Sequence, residues 1–265
     1  MIDFDFKGGF MNLKGIIFDM DGVIVDTEYQ DFLIQKDFIK HLNPKSSYED
    51  TELLVLVGKS YFNLYRLLQQ FIEKQYDIKT IEKEYASFSD ERYEKIDYSL
   101  LFRKEILKII DYALKNGIKL AVASSSKYEH INEVLERCDI KKYFDVIVSG
   151  ENFLESKPNP STYLTTLHKL ELQAEQCIAI EDSYSGIESS TSAGIATIGY
   201  YDSRLPFFND KAQWKVENMK EQHKNAKAAA AQILFVLASF SLVVAAVVVV
   251  GRHAILRGIF GSIDA

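Results

Sequence analysis

Five short apolar runs punctuate the chain, each bounded by polar or turn-forming residues: KGIIF (14–18), IKLAVA (118–123), DVIVS (145–149), CIAIE (177–181) and IATIGY (195–200). Positions that are apolar in succession, rather than in alternation, mark strands buried on both faces, as parallel strands are. Helical periodicity lies between them at 103–115, 127–137, 161–170 and about 184–193. The last of these has Asp182 or Ser183 as a cap at its start and Gly194 just past its end. Strands alternating with helices predict an α/β fold, a parallel sheet covered on both faces.

One interval breaks the alternation. Residues 29–98 are amphipathic and rich in Tyr, Phe, Leu, Lys and Glu, with Pro44 and Gly58 as the punctuation. They read as a helical insert between the first and second strands. Ligands of open α/β sheets bind beyond the carboxyl ends of the strands, so an insert placed there can serve as a lid. The main unit is then 11–28 with 99–205, and 206–227 reads as a linker.

The ends differ from this pattern. Residues 228–251 carry no charge over roughly two dozen positions, the length that spans a bilayer as a helix. A membrane anchor is one expectation for this run, with a buried C-terminal helix or an appended sequence as the open alternatives. Lys220, Lys224 and Lys227 ahead of it, against Arg252 and Arg257 behind, lean toward a cytoplasmic catalytic domain. Residues 1–10 read as a disordered leader, with translation expected to start at Met11, and 252–265 as a tail.

Composition narrows the partners. A net charge of -7 over 265 residues leaves no basic stripe for nucleic acid. Cys138 and Cys177 show neither metal-ligand spacing nor a disulfide framework, and five scattered histidines give no zinc signature. Any metal is therefore expected to take oxygen ligands. A monomer is the expectation for assembly.

The chemistry gathers at one rim. Asp19 and Asp21 follow the first strand, SSS (124–126) follows the second, Lys157 lies in the loop after the third, and Glu181 and Asp182 close the fourth. Carboxylates converging on one edge repel each other, and a hard divalent cation, magnesium, resolves the conflict. Lys157 and the hydroxyl and N–H groups around Ser124 then supply donors for a dianionic group.

DMDGVIVDT (19–27), the serine cluster after LAVA, KPNP (157–160) and EDSYSG (181–186) stand in one order along the chain. Together they closely resemble the four motifs of the haloacid dehalogenase superfamily, in its branch with a helical cap that includes β-phosphoglucomutase-like and phosphoglycolate phosphatase-like proteins. The resemblance covers 11 to about 205. It implies a Rossmann-like doubly wound core and a magnesium-dependent phosphatase acting on a small phosphorylated metabolite.

By that resemblance Asp19 is the nucleophile that becomes an aspartyl-phosphate. Asp21 is the acid and then the base. Ser124 and Lys157 steady the transferring oxygens. Magnesium is held by the Asp19 carboxylate, the Asp21 carbonyl and Asp182, with Glu181 supporting. Gly22 and Ser125 are substrate-binding candidates, and Asp26 and Thr27 brace the loop. The branch commonly carries a cap histidine after Asp-Thr-Glu, and its mutases an arginine after a cap glycine. Here Asp31 (or Gln30) and Tyr61 stand in those places, leaving Lys59 as the cap's cationic candidate. A phosphatase is the leading expectation, with a sugar phosphomutase and a non-catalytic membrane-attached binding module as alternatives.

Overall fold

The structure is a computed structural model that describes residues 13–59, 61–72, 76–202, 204–205 and 210–218. The leader, the apolar 228–251 run and the tail lie outside the described residues. Among those described, no helix is long and apolar enough to cross a membrane.

Six strands form one parallel sheet: β1 (Gly15–Phe18), β2 (Lys119–Ser124), β3 (Val146–Ser149), β4 (Cys177–Glu181), β5 (Ala196–Asp202) and β6 (Trp214–Asn218), in the order β3-β2-β1-β4-β5-β6. The central β1 pairs on both sides, Ile16 lying opposite Leu120 and Ile178. Between β1 and β2 the chain runs through α1 (Thr27–Leu42), α2 (Asp50–Leu53), α3 (Tyr61–Phe71), α4 (Ile78–Tyr93), α5 (Tyr98–Leu101) and α6 (Ile106–Lys115). The later crossovers are α7 (Tyr128–Arg137), α8 (Ser161–Leu170) and α9 (Tyr184–Ser192).

Strand alternation divides the core between the two faces. Ile16, Phe18, Leu120, Val122, Ile178 and Ile180 pack beneath Ile109 and Ile110 of α6 and Val134 and Leu135 of α7. Ile17, Ala121, Ala123 and Ala179 face the other way, where their small side chains admit the fully buried Tyr163 and Leu170 of α8. Helices on opposite faces of a parallel sheet make it doubly wound.

The sheet does not end where the sequence pattern placed its end. Residues 214–218, within the expected linker, form β6 and pair in parallel with β5. Edge position explains why its pattern was not apolar: Lys215 is exposed while Val216 is buried, the alternation of a strand covered on one side.

The insert has its own core. Phe32 and Phe38 of α1, Leu53, Leu56, Leu64 and Leu68, and Ile81 and Tyr85 of α4 form a separate buried cluster. The chain enters and leaves the insert through adjacent segments, with Asp26 N–H donating to Leu101 O (2.9 Å) and Arg103 N–H to Ile24 O (3.0 Å). Arg103 is thereby committed to this junction, and α6 starts at Ile106 rather than at 103.

A third tie comes from beyond β5. Leu205, 4% exposed, belongs to the insert's cluster. Arg204 pairs with Asp26 and Asp202 and lies over the Tyr29 ring, 4.3 Å from its centroid. Truncating a buried leucine costs about 2–5 kcal/mol. Leu205→Ala should therefore lower the unfolding free energy of the full chain by that amount, read as a lower urea midpoint at constant m, and an unchanged midpoint would show that Leu205 does not anchor the insert.

Candidate active site

In the order β3-β2-β1-β4-β5-β6 the winding reverses between β1 and β4, and a crevice opens there at the carboxyl ends. Asp19 is the first residue after β1 and Glu181 the last of β4, so the switch point itself sets the two carboxylates side by side. Lys157, from the loop between β3 and α8, bridges them: its Nζ is 2.6 Å from Asp19 Oδ1 and 2.6 Å from Glu181 Oε1, and donates to Ala123 O at 2.9 Å. Tyr163 on α8 donates its hydroxyl to the same Glu181 oxygen at 2.5 Å.

Two glycines make room for this cluster. Gly22 has φ +76°, and a Cβ there would lie 1.7 Å from Asp182 Oδ2. A Cβ on Gly186, at the start of α9, would lie 1.9 Å from Glu181 Oε2. The Asp-x-Asp-Gly turn and the start of α9 therefore admit the two motif-four carboxylates only because both positions lack a side chain.

Burial dominates the electrostatics. It pushes the Asp19 carboxyl up to about 8; Lys157 opposes the shift, and Glu181 and Asp21 add to it. Asp182 is held well above the carboxylate range by burial and then by Glu28, Asp19 and Glu181. Burial works against the Lys157 ammonium, but Asp19 and Glu181 outweigh it and hold its pKa above the usual lysine value. Among the described residues positive charge is in deficit, with Lys157 and, acting more weakly on Asp182, Arg103 as the counter-charges.

A divalent cation fits this deficit. Asp19, Glu181 and Asp182 each offer an oxygen within 4.8 Å of the others, and Glu181 Oε2 is buried with no hydrogen-bond partner. All-oxygen donors suit a hard ion.

The Asp21 side chain stands outside that trio. Its Oδ1 accepts from Thr27 Oγ1 (2.8 Å) and its Oδ2 from Ser126 Oγ (2.7 Å). Thr27 thus braces the loop through Asp21. Asp26 braces it through Arg103, whose Nη2 lies 3.0 Å from Asp26 Oδ1 and whose Nε donates to Gly22 O at 3.1 Å. Ser124 is buried and its Oγ accepts the Ser126 N–H at 3.0 Å, while Ser125 is exposed. Lys59 is exposed and lines a cleft of ≈ 520 Å³ with Gly22, Glu28, Asp182 and Tyr184; Asp19 and Lys157 are not in its lining.

Glu28 and Tyr163 had no sequence signal of their own, whereas Ser126 belongs to the serine cluster at 124–126 and only its partner was hidden. Glu28 is the largest charge acting on Asp182, and its adjacency to Asp26-Thr27 was the available clue. Ser126 holds Asp21 from 105 residues away, and Tyr163 meets Glu181 only through the packing of α8.

A doubly wound sheet with an acidic, lysine-clamped switch point under a helical insert defines a class of hydrolase. The family model of the haloacid dehalogenase-like hydrolases matches residues 16–200, and the chain belongs to that family. It is 30% identical over 186 residues to a phosphorylated carbohydrates phosphatase of Thermotoga maritima, covering 70% of this chain and 84% of that protein. It is also 30% identical over 191 residues to a β-phosphoglucomutase of Bacillus subtilis, covering 71% and 83%. A β-phosphoglucomutase structure from Clostridium difficile shares the fold, with a TM-score of 0.60 at 23% identity over 84% of this chain and 99% of that one.

Proposed function

We propose that the chain is a magnesium-dependent phosphatase that hydrolyses a small phosphate monoester through an aspartyl-phosphate on Asp19. The observation that carries this reading is the separation of the two motif-one aspartates. Asp19 is clamped by Lys157 within the acidic trio, while Thr27 and Ser126 turn Asp21 away from it. This separation supports assigning attack to Asp19 and proton transfer to Asp21.

In the first half-reaction an Asp19 oxygen bonds to phosphorus, and the bond from phosphorus to the ester oxygen breaks. Asp21 delivers its proton to that departing oxygen. In the second, Asp21 takes a proton from water as the water oxygen attacks phosphorus and releases Asp19. Lys157 and the donors around Ser124 hold the equatorial oxygens. The Asp19 and Asp182 carboxylates and the Asp21 carbonyl, with Glu181 supporting, would hold the cation, which when bound supplies positive charge to the transferring group.

The insert favours hydrolysis over mutase chemistry. A mutase has to hold either end of a bisphosphorylated intermediate. Here the places of the branch's cap histidine and of its mutases' arginine hold Asp31 (or Gln30) and Tyr61, which are not cationic, and Lys59 is left as the cap's cationic candidate. The full chain with magnesium should release inorganic phosphate from a panel of phosphate monoesters and make no glucose 6-phosphate from β-glucose 1-phosphate. Isomerisation in the absence of phosphate release would establish the mutase instead.

A further inference from the structure

Asp31 lies one helical turn beyond Thr27 on α1, so the face of α1 that holds Asp21 continues to Asp31. Asp31 is half-buried, and Tyr93 at the end of α4 donates its hydroxyl to Asp31 Oδ1 at 2.7 Å. That donor fixes the carboxyl but fills only part of its capacity, since a carboxylate can accept about four hydrogen bonds. Burial pushes the Asp31 carboxyl up to about 7 against the opposing hydrogen bond from Tyr93, and the Asp21 charge adds a smaller push in the same direction as burial.

Tyr61 stands beside them. It is 64% exposed, stacks on Tyr65 with centroids 6.0 Å apart and planes at 27°, and lies within electrostatic reach of both Asp31 and Asp21. The insert therefore offers an acceptor and an aromatic ring within electrostatic reach of the Asp21 carboxyl.

We propose that Asp31, fixed by Tyr93 and flanked by Tyr61, is the specificity residue of the insert. It accepts a hydrogen bond from a hydroxyl or ammonium group of the leaving alcohol and turns away esters whose leaving group carries a second anion. This inference rests on the phosphatase reading and adds to it a substrate class: monoesters of neutral polyols or of amino alcohols. Asp31 is a binding residue and takes no part in bond making.

Above pH 7 the Asp31 carboxyl is ionised and disfavours a second anion brought across the binding site, so discrimination of at least tenfold is expected at pH 8. The test is phosphate release by the full chain with magnesium on glucose 6-phosphate, phosphoethanolamine, glucose 1,6-bisphosphate and phosphoglycolate, with p-nitrophenyl phosphate as a general ester. The better of the first two should exceed both anionic esters in kcat/KM by roughly tenfold or more. Which of the two leads separates hydroxyl from ammonium recognition. Asp31→Asn should shrink that ratio to within about threefold, chiefly through KM, and Asp31→Lys should invert it. A merely structural role would lower all esters alike and leave the ratio standing.

A wild-type chain that prefers the bisphosphate or phosphoglycolate overturns the inference, whether or not the variants fold. So does an unchanged ratio in Asp31→Asn. Release from no ester, p-nitrophenyl phosphate included, overturns the phosphatase reading, and the inference falls with it.

Discussion

Asp19→Asn should remove turnover, by on the order of 10⁴-fold or more, as loss of a nucleophile does, without unfolding the protein. Asparagine keeps the shape of the side chain but cannot form the acyl phosphate. It also relieves the site, since burial pushes the Asp19 carboxyl up to about 8 and both Glu181 and Asp21 repel it. Lys157 retains Glu181 as its partner at 2.6 Å. The variant should therefore melt at the wild-type temperature or above it, so that lost activity cannot be ascribed to a lost fold. Asp21→Asn should cost less, about 10²–10⁴-fold, the usual yield of general acid–base catalysis. Near-native turnover in Asp19→Asn, measured as phosphate release, would end the covalent mechanism.

Removing divalent cations should have the next largest effect. The Asp19, Glu181 and Asp182 carboxylates lie within 4.8 Å of one another, and a phosphate dianion brought to them meets repulsion that Lys157 alone does not offset. Metal charge contributes several kcal/mol in such sites, which corresponds to a rate change on the order of a thousandfold. Excess EDTA should stop phosphate release, magnesium and manganese should restore it, and calcium should oppose them, because its larger and looser shell misplaces the ligands. The same titration should raise the melting temperature of the chain, since an ion bound by the folded state alone stabilises it. Full activity in EDTA with no thermal shift would contradict the reading of the acidic trio.

The parts of this site legible in the sequence were those where chemistry sits at the end of a strand. Ile16, Ile17 and Phe18 are fully buried, and an apolar run of that kind ending in Asp19 is visible without coordinates. The same holds for Glu181 after the Cys177–Ile180 run. Elements whose logic is tertiary were not legible. Strand β6 has Lys215 exposed between Trp214 and the buried Val216, so no apolar run announced it. Pairing with β5 makes it a strand.

Long-range partners were hidden for a similar reason. Arg204 follows β5 in sequence yet closes on Asp26, 178 residues earlier, and Leu205, just past β5, joins the insert's core rather than the sheet's. Asp31 was visible as a departure from the branch's common histidine. Its tie to Tyr93, 62 positions away, needed the packing of α1 against α4.

The central claim is a phosphoryl group on Asp19, and its most direct measurement is mass spectrometry of the full chain, acid-quenched during turnover with magnesium and substrate. A peptide spanning Gly15 to Glu28 should carry the mass of one phosphoryl group, located on Asp19, labile to hydroxylamine and absent from Asp19→Asn. Turnover with phosphorylation at another residue, or with none at Asp19 when quenched within the first cycle, would contradict the account.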